Sequence, residues 1–100
     1  MLWIISCIDK PNSLATRLEL LPAHRKYLDT VNHQIFFSGP QEKNDGSEMV
    51  GSFFIVNAPD RAGAEAFIHG ETLYQAGVFE SVYIRRIRKG RFHPDVANEA

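Results

Sequence analysis

Hydrophobic positions change their period several times along the chain, and each change marks an element. Leu2 to Ile8 is apolar at both parities and rich in β-branched and aromatic residues, the pattern of a central strand covered on both faces. Asp9-Lys10-Pro11-Asn12 supplies turn residues, Asn12 offers a helix cap, and Leu14, Leu18 and Leu21 then recur at helical spacing. Pro22 removes one backbone donor inside this pattern. That predicts a kink or restart, with a second segment beginning at or just before His24 and carrying Tyr27, Leu28 and Val31. Ile35-Phe36-Phe37-Ser38 reads as a second strand stopped by Gly39-Pro40, and Gln41 to Glu48 as a solvated hairpin connection with turn positions at Asp45-Gly46. Val50 to Asn57 is the third strand. Asp60 caps a second helix from Arg61 to Ile68, and Gly70 ends it in a left-handed conformation. Glu71 to Gln75 adds one turn before Gly77, and Val78 to Ile87 alternates as a fourth strand.

The order is β-α-β-β-α-β. Right-handed crossovers leave few topologies for it, and the simplest is an α+β, ferredoxin-like plait with both helices on one sheet face. Two short helices cannot cover all of Trp3, Ile5, Phe53, Ile55, Phe79 and Tyr83, so a second copy of the chain is expected on the other face, giving a homodimer joined through its sheets. The 100 residues suffice for one domain with one core, assigned to residues 1–89, with 90–100 as a polar tail.

Eleven basic against twelve acidic residues leave a net charge of -1, so attraction of the whole molecule to nucleic acid or anionic lipid is not expected. Arg85, Arg86, Arg88, Lys89 and Arg91 do cluster, with Tyr83 and Phe92 beside them. They could meet a phosphate or RNA, but without an RNP-like aromatic pair a charged edge strand that discourages aggregation is favoured. The single Cys7 cannot form an intramolecular disulfide, which fits a reducing cytoplasm. The opening apolar run lacks the basic residue and cleavage site of a signal peptide and is too short to span a bilayer.

His24, His33, His69 and His93 are the first candidates for acid-base or metal work, yet none stands in a metal-ligand spacing, so no metal and no cofactor are expected. There is no Gly-rich phosphate loop, and no serine sits in a nucleophile elbow. His24 falls on the flank of the Leu14-Leu18-Leu21 stripe, directed at the sheet rim where Asp9 ends the first strand. Position alone leaves two readings. Asp9 orients His24 and holds one imidazole tautomer for proton transfer, or Asp9 caps the turn and His24 is a cover residue.

Further residues narrow the choice. Asp9-Lys10-Pro11-Asn12-Ser13-Leu14 with Arg17, Leu21-Pro22-Ala23-His24-Arg25-Lys26-Tyr27-Leu28, Phe37-Ser38-Gly39-Pro40, Gly51-Ser52 and Ala76-Gly77-Val78-Phe79 resemble successive blocks of the YCII-related (YciI-like) domain family. The resemblance runs from about Leu2 to Lys89. It implies a dimeric α+β barrel of ferredoxin-like subunits with a site centred on a histidine and an aspartate, here His24 and Asp9. Tyr27, Ser38 and Gly39 would line the pocket. Where the family often has Asp-Pro, this chain has Glu71-Thr72, a lengthened carboxylate that as a ligand contact would make the pocket tighter or differently shaped. Family members have been linked to dehalogenation of hydroxylated aromatic rings. The resemblance thus implies a cofactor-free enzyme or binding protein for a small cyclic or aromatic compound, of lyase or dehalogenase type. The alternative is a non-catalytic dimeric regulator or scaffold whose histidine is structural.

Overall fold

A computed structural model describes residues 1–98 and 100 of the chain. Its four strands are β1 (Leu2–Asp9), β2 (Ile35–Glu42), β3 (Met49–Asn57) and β4 (Phe79–Ile87), and its helices are α1 (Leu14–Thr30), α2 (Arg61–His69) and α3 (Thr72–Gln75). The strands lie in the order β2-β3-β1-β4, every neighbouring pair antiparallel. This is the ferredoxin-like α+β arrangement anticipated from the element order.

Strand alternation sorts the two faces. Trp3, Ile5 and Cys7 of β1 join Phe54 and Val56 of β3 in one core with Ala64, Phe67 and Ile68 of α2 and Leu73 of α3. The register pairs Ile4 with Ile55 and Arg85, and Ser6 with Phe53 and Tyr83, so these residues share the opposite face. Phe53, Ile55 and Tyr83 therefore do lie on the uncovered side. Trp3, Ile5 and Phe79 do not: at 8%, 0% and 8% exposure they belong to the core beneath the helices. Odd positions of β1 pair with even positions of β3 and β4, so Trp3 and Ile5 face away from Phe53, Ile55 and Tyr83, and the register shift between Ile8 and Asp9 brings Phe79 to the core side although it shares the parity of Tyr83.

Helix α1 runs through Pro22 as one helix, so of the kink or restart anticipated there the restart does not occur. Pro22 is itself exposed, and the carbonyl that loses its donor belongs to Leu18, a residue 49% exposed, so the lost bond falls on the solvent side of the helix. The helix is also turned from the Leu14-Leu18-Leu21 stripe. Arg17 is its buried residue, and Leu20, Leu28 and Val31 pack against the core. The cap position falls to Ser13, while Asn12 takes a left-handed φ of 61°.

Gly39 and Pro40 sit inside β2, which continues to Glu42. Because β2 is an edge strand, Pro40 withholds no hydrogen bond that a second neighbour would need. Asp60 caps α2 as anticipated, accepting from the Gly63 N–H at 2.8 Å. Gly70, in contrast, has an ordinary φ of -81°. Space, not conformation, requires glycine there, since a Cβ would fall 2.6 Å from the Tyr27 hydroxyl. After β4 the chain runs to a short 3-10 turn, Pro94–Ala97, and Phe92 stacks on Phe36 of β2 with ring centres 5.4 Å apart. Among the described residues no helix is long and apolar enough to cross a membrane.

Candidate functional site

Helix α1 carries two polar side chains on its buried side, Arg17 and His24. Seven residues separate them, which places them on one face about 10.5 Å apart along the axis. Arg17 reaches the C-terminal end of β1, where its Nε donates to Asp9 Oδ2 at 2.7 Å and its Nη2 to Asp9 Oδ1 at 2.8 Å. Nη2 also donates to Ser52 Oγ of β3 at 2.9 Å, and the guanidinium carbon stands 5.9 Å from the centre of the Phe79 ring. The pair is almost entirely removed from water, with side-chain exposures of 1% and 6%. A planar fork matched to a carboxylate is the geometry in which such burial is tolerated.

Asp9 is thus committed to Arg17, and the anticipated Asp9-His24 pair does not form. His24 lies two turns further along α1, and its Nδ1 meets Glu71 Oε1 instead. Glu71 is fully buried at the start of α3, and its other oxygen, Oε2, accepts from the Leu73 N–H at 3.0 Å and the Tyr74 N–H at 3.3 Å. One carboxylate therefore caps a helix and orients an imidazole. Glu71, anticipated as a ligand contact, is fully buried against Nδ1 of the ring and does not line the cavity that His24 lines. A contact of Nδ1 with a carboxylate oxygen favours the tautomer in which Nδ1 donates, and leaves Nε2 as the nitrogen with no protein partner among the described residues.

His24 lines a cavity of about 280 Å³ together with Arg17, Ser38, Gly39, Met49, Ser52 and Phe54, among others. His24 Nε2 accepts from or donates to no polar atom of the described residues, yet no buried polar side-chain atom among them lacks a partner. Nε2 therefore reaches accessible surface, and His24 is one of the residues that line this cavity. Ser38 and Gly39 are placed here as the sequence suggested. Tyr27 is not: its hydroxyl donates to the Phe67 carbonyl at 2.7 Å, and its ring lies against Gly70. Burial, and secondarily the charge of Glu71, pushes the Tyr27 hydroxyl above the ordinary phenol range. A second cleft, about 460 Å³, lies between the Asp9–Ala15 segment and Lys43 with Glu48–Val50, and it does not include His24. Cys7 is fully buried, and burial above all pushes its thiol up to about 12, so it stays a neutral packing group. No three His, Cys, Asp or Glu side chains converge among the described residues as a metal-binding set.

Sequence reasoning missed two roles. One is that of Arg17, for which a cation in phase with Leu20, His24, Leu28 and Val31 is the signal that the helix buries a polar group. Glu71 stands one residue before a helical turn, where a carboxylate can cap. What links it to His24 is contact between segments 47 residues apart, which no local pattern records.

The chain is 28% identical over 96 residues to Protein YciI of Escherichia coli O6:H1, covering 89% of this chain and 98% of that protein. Protein YciI of Shigella flexneri matches to the same extent. Among solved structures, the chain superimposes with a TM-score of 0.82 and 30% identity on 5-chloro-2-hydroxyhydroquinone dehydrochlorinase from Burkholderia phenoliruptrix, determined in complex with 2,5-dihydroxybenzoquinone. That match covers 90% of this chain and 96% of the enzyme. The model of the YCII-related domain matches residues 1–88, nearly the full length, and the chain belongs to the YCII-related domain family.

Proposed function

We propose that the chain is a cofactor-free acid-base enzyme acting on a small hydroxylated ring, with His24 as the group that moves the proton and Glu71 as its positioning partner. The observation that carries this reading is the His24-Glu71 pair, with Nδ1 engaged from behind and Nε2 left to a cavity. Engaging Nδ1 holds one tautomer and one ring orientation, so that Nε2 is the nitrogen that takes up and returns the proton, as a general base requires. The solved relative, named for dehydrochlorination and complexed with a hydroxyquinone, supports the ring as substrate class.

The chemistry balances without an external oxidant. Nε2 takes the proton of a ring hydroxyl, and the electron pair enters the ring as a carbonyl forms. The proton is returned to a ring carbon that bears a halogen. Loss of a second hydroxyl proton then drives out halide, so the ring is oxidised to a quinone while the carbon-halogen bond is reduced, and the net loss is one hydrogen halide. The cavity at Ser38 and Gly39 holds the ring, and Glu71 offsets the charge that His24 gains in each transfer.

Halide release from a panel of chlorinated hydroquinones and phenols tests this, alongside thermal shift with the same compounds. The wild-type chain should act on at least one, and His24→Ala should lower kcat/KM by about 10²–10⁴. A wild-type chain that neither turns over nor binds any member, or a His24→Ala chain that behaves as wild type, leaves the regulatory or scaffold reading. We further propose a homodimer joined through the sheet faces bearing Ile4, Phe53, Ile55 and Tyr83, and, from the lone buried thiol, work in a reducing cytoplasm.

A further inference from the structure

Arg17 has five N–H donors, and its protein partners account for three of them. The Nε hydrogen and one Nη2 hydrogen go to Asp9, and the second Nη2 hydrogen goes to Ser52. No polar atom of the described residues accepts from Nη1. The side chain is 1% exposed, yet no buried polar side-chain atom among the described residues is without a partner, so that sliver of surface belongs to Nη1. Arg17 lines the cavity that holds His24 and is absent from the larger cleft nearby. An almost fully buried guanidinium with two donors left over thus lines the same cavity as His24, from a point two turns away on the same helix face.

We propose that Arg17 Nη1 is the docking point for an ionised oxygen of the ring ligand, so that the site selects rings carrying an acidic hydroxyl or a carboxylate over neutral rings of the same shape. This rests on the reading of the cavity as a ring-binding acid-base site and adds its second pole. Arg17 is held rigidly by Asp9 and Ser52, so binding an anion there orders no flexible side chain. In a site sheltered from water, a charge-assisted bond at one end and proton transfer at the other would fix which ring oxygen meets His24. During turnover the same donors would hold the oxygen that carries charge while the proton is on the histidine.

Two probes of similar size separate charge from shape: 2,5-dihydroxybenzoquinone, whose hydroxyls are acidic, and 2,5-dimethoxybenzoquinone, which cannot ionise. Calorimetric titration of the full-length wild-type chain should show the dihydroxy probe binding about tenfold to a hundredfold more tightly, the range of a hydrogen bond to a charged group. Its visible spectrum when bound should be that of the anion, at a pH where the free probe is partly neutral. Arg17→Lys keeps a cation for Asp9 and loses Nη1, so the preference should shrink by about tenfold, whereas His24→Ala should keep the anionic spectrum. Equal affinities for the two probes in wild type, a neutral spectrum for the bound probe, or an unchanged preference in folded Arg17→Lys would each overturn the proposal. The wild-type measurements decide it even if Arg17→Lys does not fold. Binding and turnover that depend on His24 but show no preference for the anion would sink this inference alone. A wild-type chain that binds neither probe and turns over no ring compound would sink it together with the acid-base reading.

Discussion

Glu71 divides its oxygens between a ring and a helix, and its removal should be felt in both places. Glu71→Ala leaves two N–H groups at the start of α3 without their acceptor and frees His24 Nδ1. The expected loss, read as the urea midpoint, is about 2–4 kcal/mol. Ring ¹⁵N shifts of His24 should report the Nδ1-H tautomer in wild type and a mixture in the variant; an unmixed tautomer would show that something other than Glu71 sets it. Asp9→Ala should cost about 3–5 kcal/mol, because it strands the Arg17 charge in a buried site, and it should leave the His24 ring shifts where they were. Cys7 sets an alkaline limit. Its thiol titrates near 9 when unfolded and about 12 when folded, so between those values the unfolded chain releases a proton that the native state keeps. Stability is complete below pH 9 and falls as pH rises toward 12, by about 4 kcal/mol from this group, and the raised Tyr27 hydroxyl adds a loss in the same direction. Denaturant titrations of wild type and Cys7→Ala across that range check it, with a shallower decline expected for the variant; parallel declines would mean that the thiol is not the source.

At the scale of elements, the contact between α1 and the turn that follows α2 sets how the site closes. Tyr27 on α1 donates to the Phe67 carbonyl in the last turn of α2 and fills the space over Gly70. Gly70→Ala should destabilise by about 1–3 kcal/mol through overpacking, since the backbone there suits alanine and the obstacle is the Tyr27 hydroxyl. Adding Tyr27→Phe should recover part of the loss, and additive losses in the double variant would show that the two positions do not meet. The order and kind of these elements were legible from hydrophobic period and capping residues. The rotation of α1 was not. Leu14, Leu18 and Leu21 mark a stripe that the sequence offers as buried, but the helix turns to place Arg17 inward, because the bond to Asp9 and Ser52 satisfies the guanidinium, while an exposed Leu18 costs little. The same blindness applied to β2, where Gly39-Pro40 reads as a stop until the strand is known to be an edge.

The whole molecule leaves one sheet face uncovered, with Ile4, Phe53 and Ile55 across β1 and β3 and Tyr83 on β4. If a second copy covers it, Ile55→Asp should shift sedimentation at micromolar concentration from dimer to monomer while a folded far-ultraviolet signal persists. A wild-type monomer under those conditions would refute the dimer. Local pattern determined the element sequence, and with it the plait, because strand and helix periods and right-handed crossovers depend on near neighbours and general chirality. Local position left His24 open between two readings, and it was the family resemblance that marked His24 and the Ser38-Gly39 segment as candidate site residues. Only the tertiary structure decided which carboxylate serves the histidine and which face each apolar residue enters. Asp9 and Glu71 are both acids at the ends of elements, and their partners are chosen by reach across the fold, by which pairing leaves no buried charge alone, and by a register in which one residue's shift exchanges the faces.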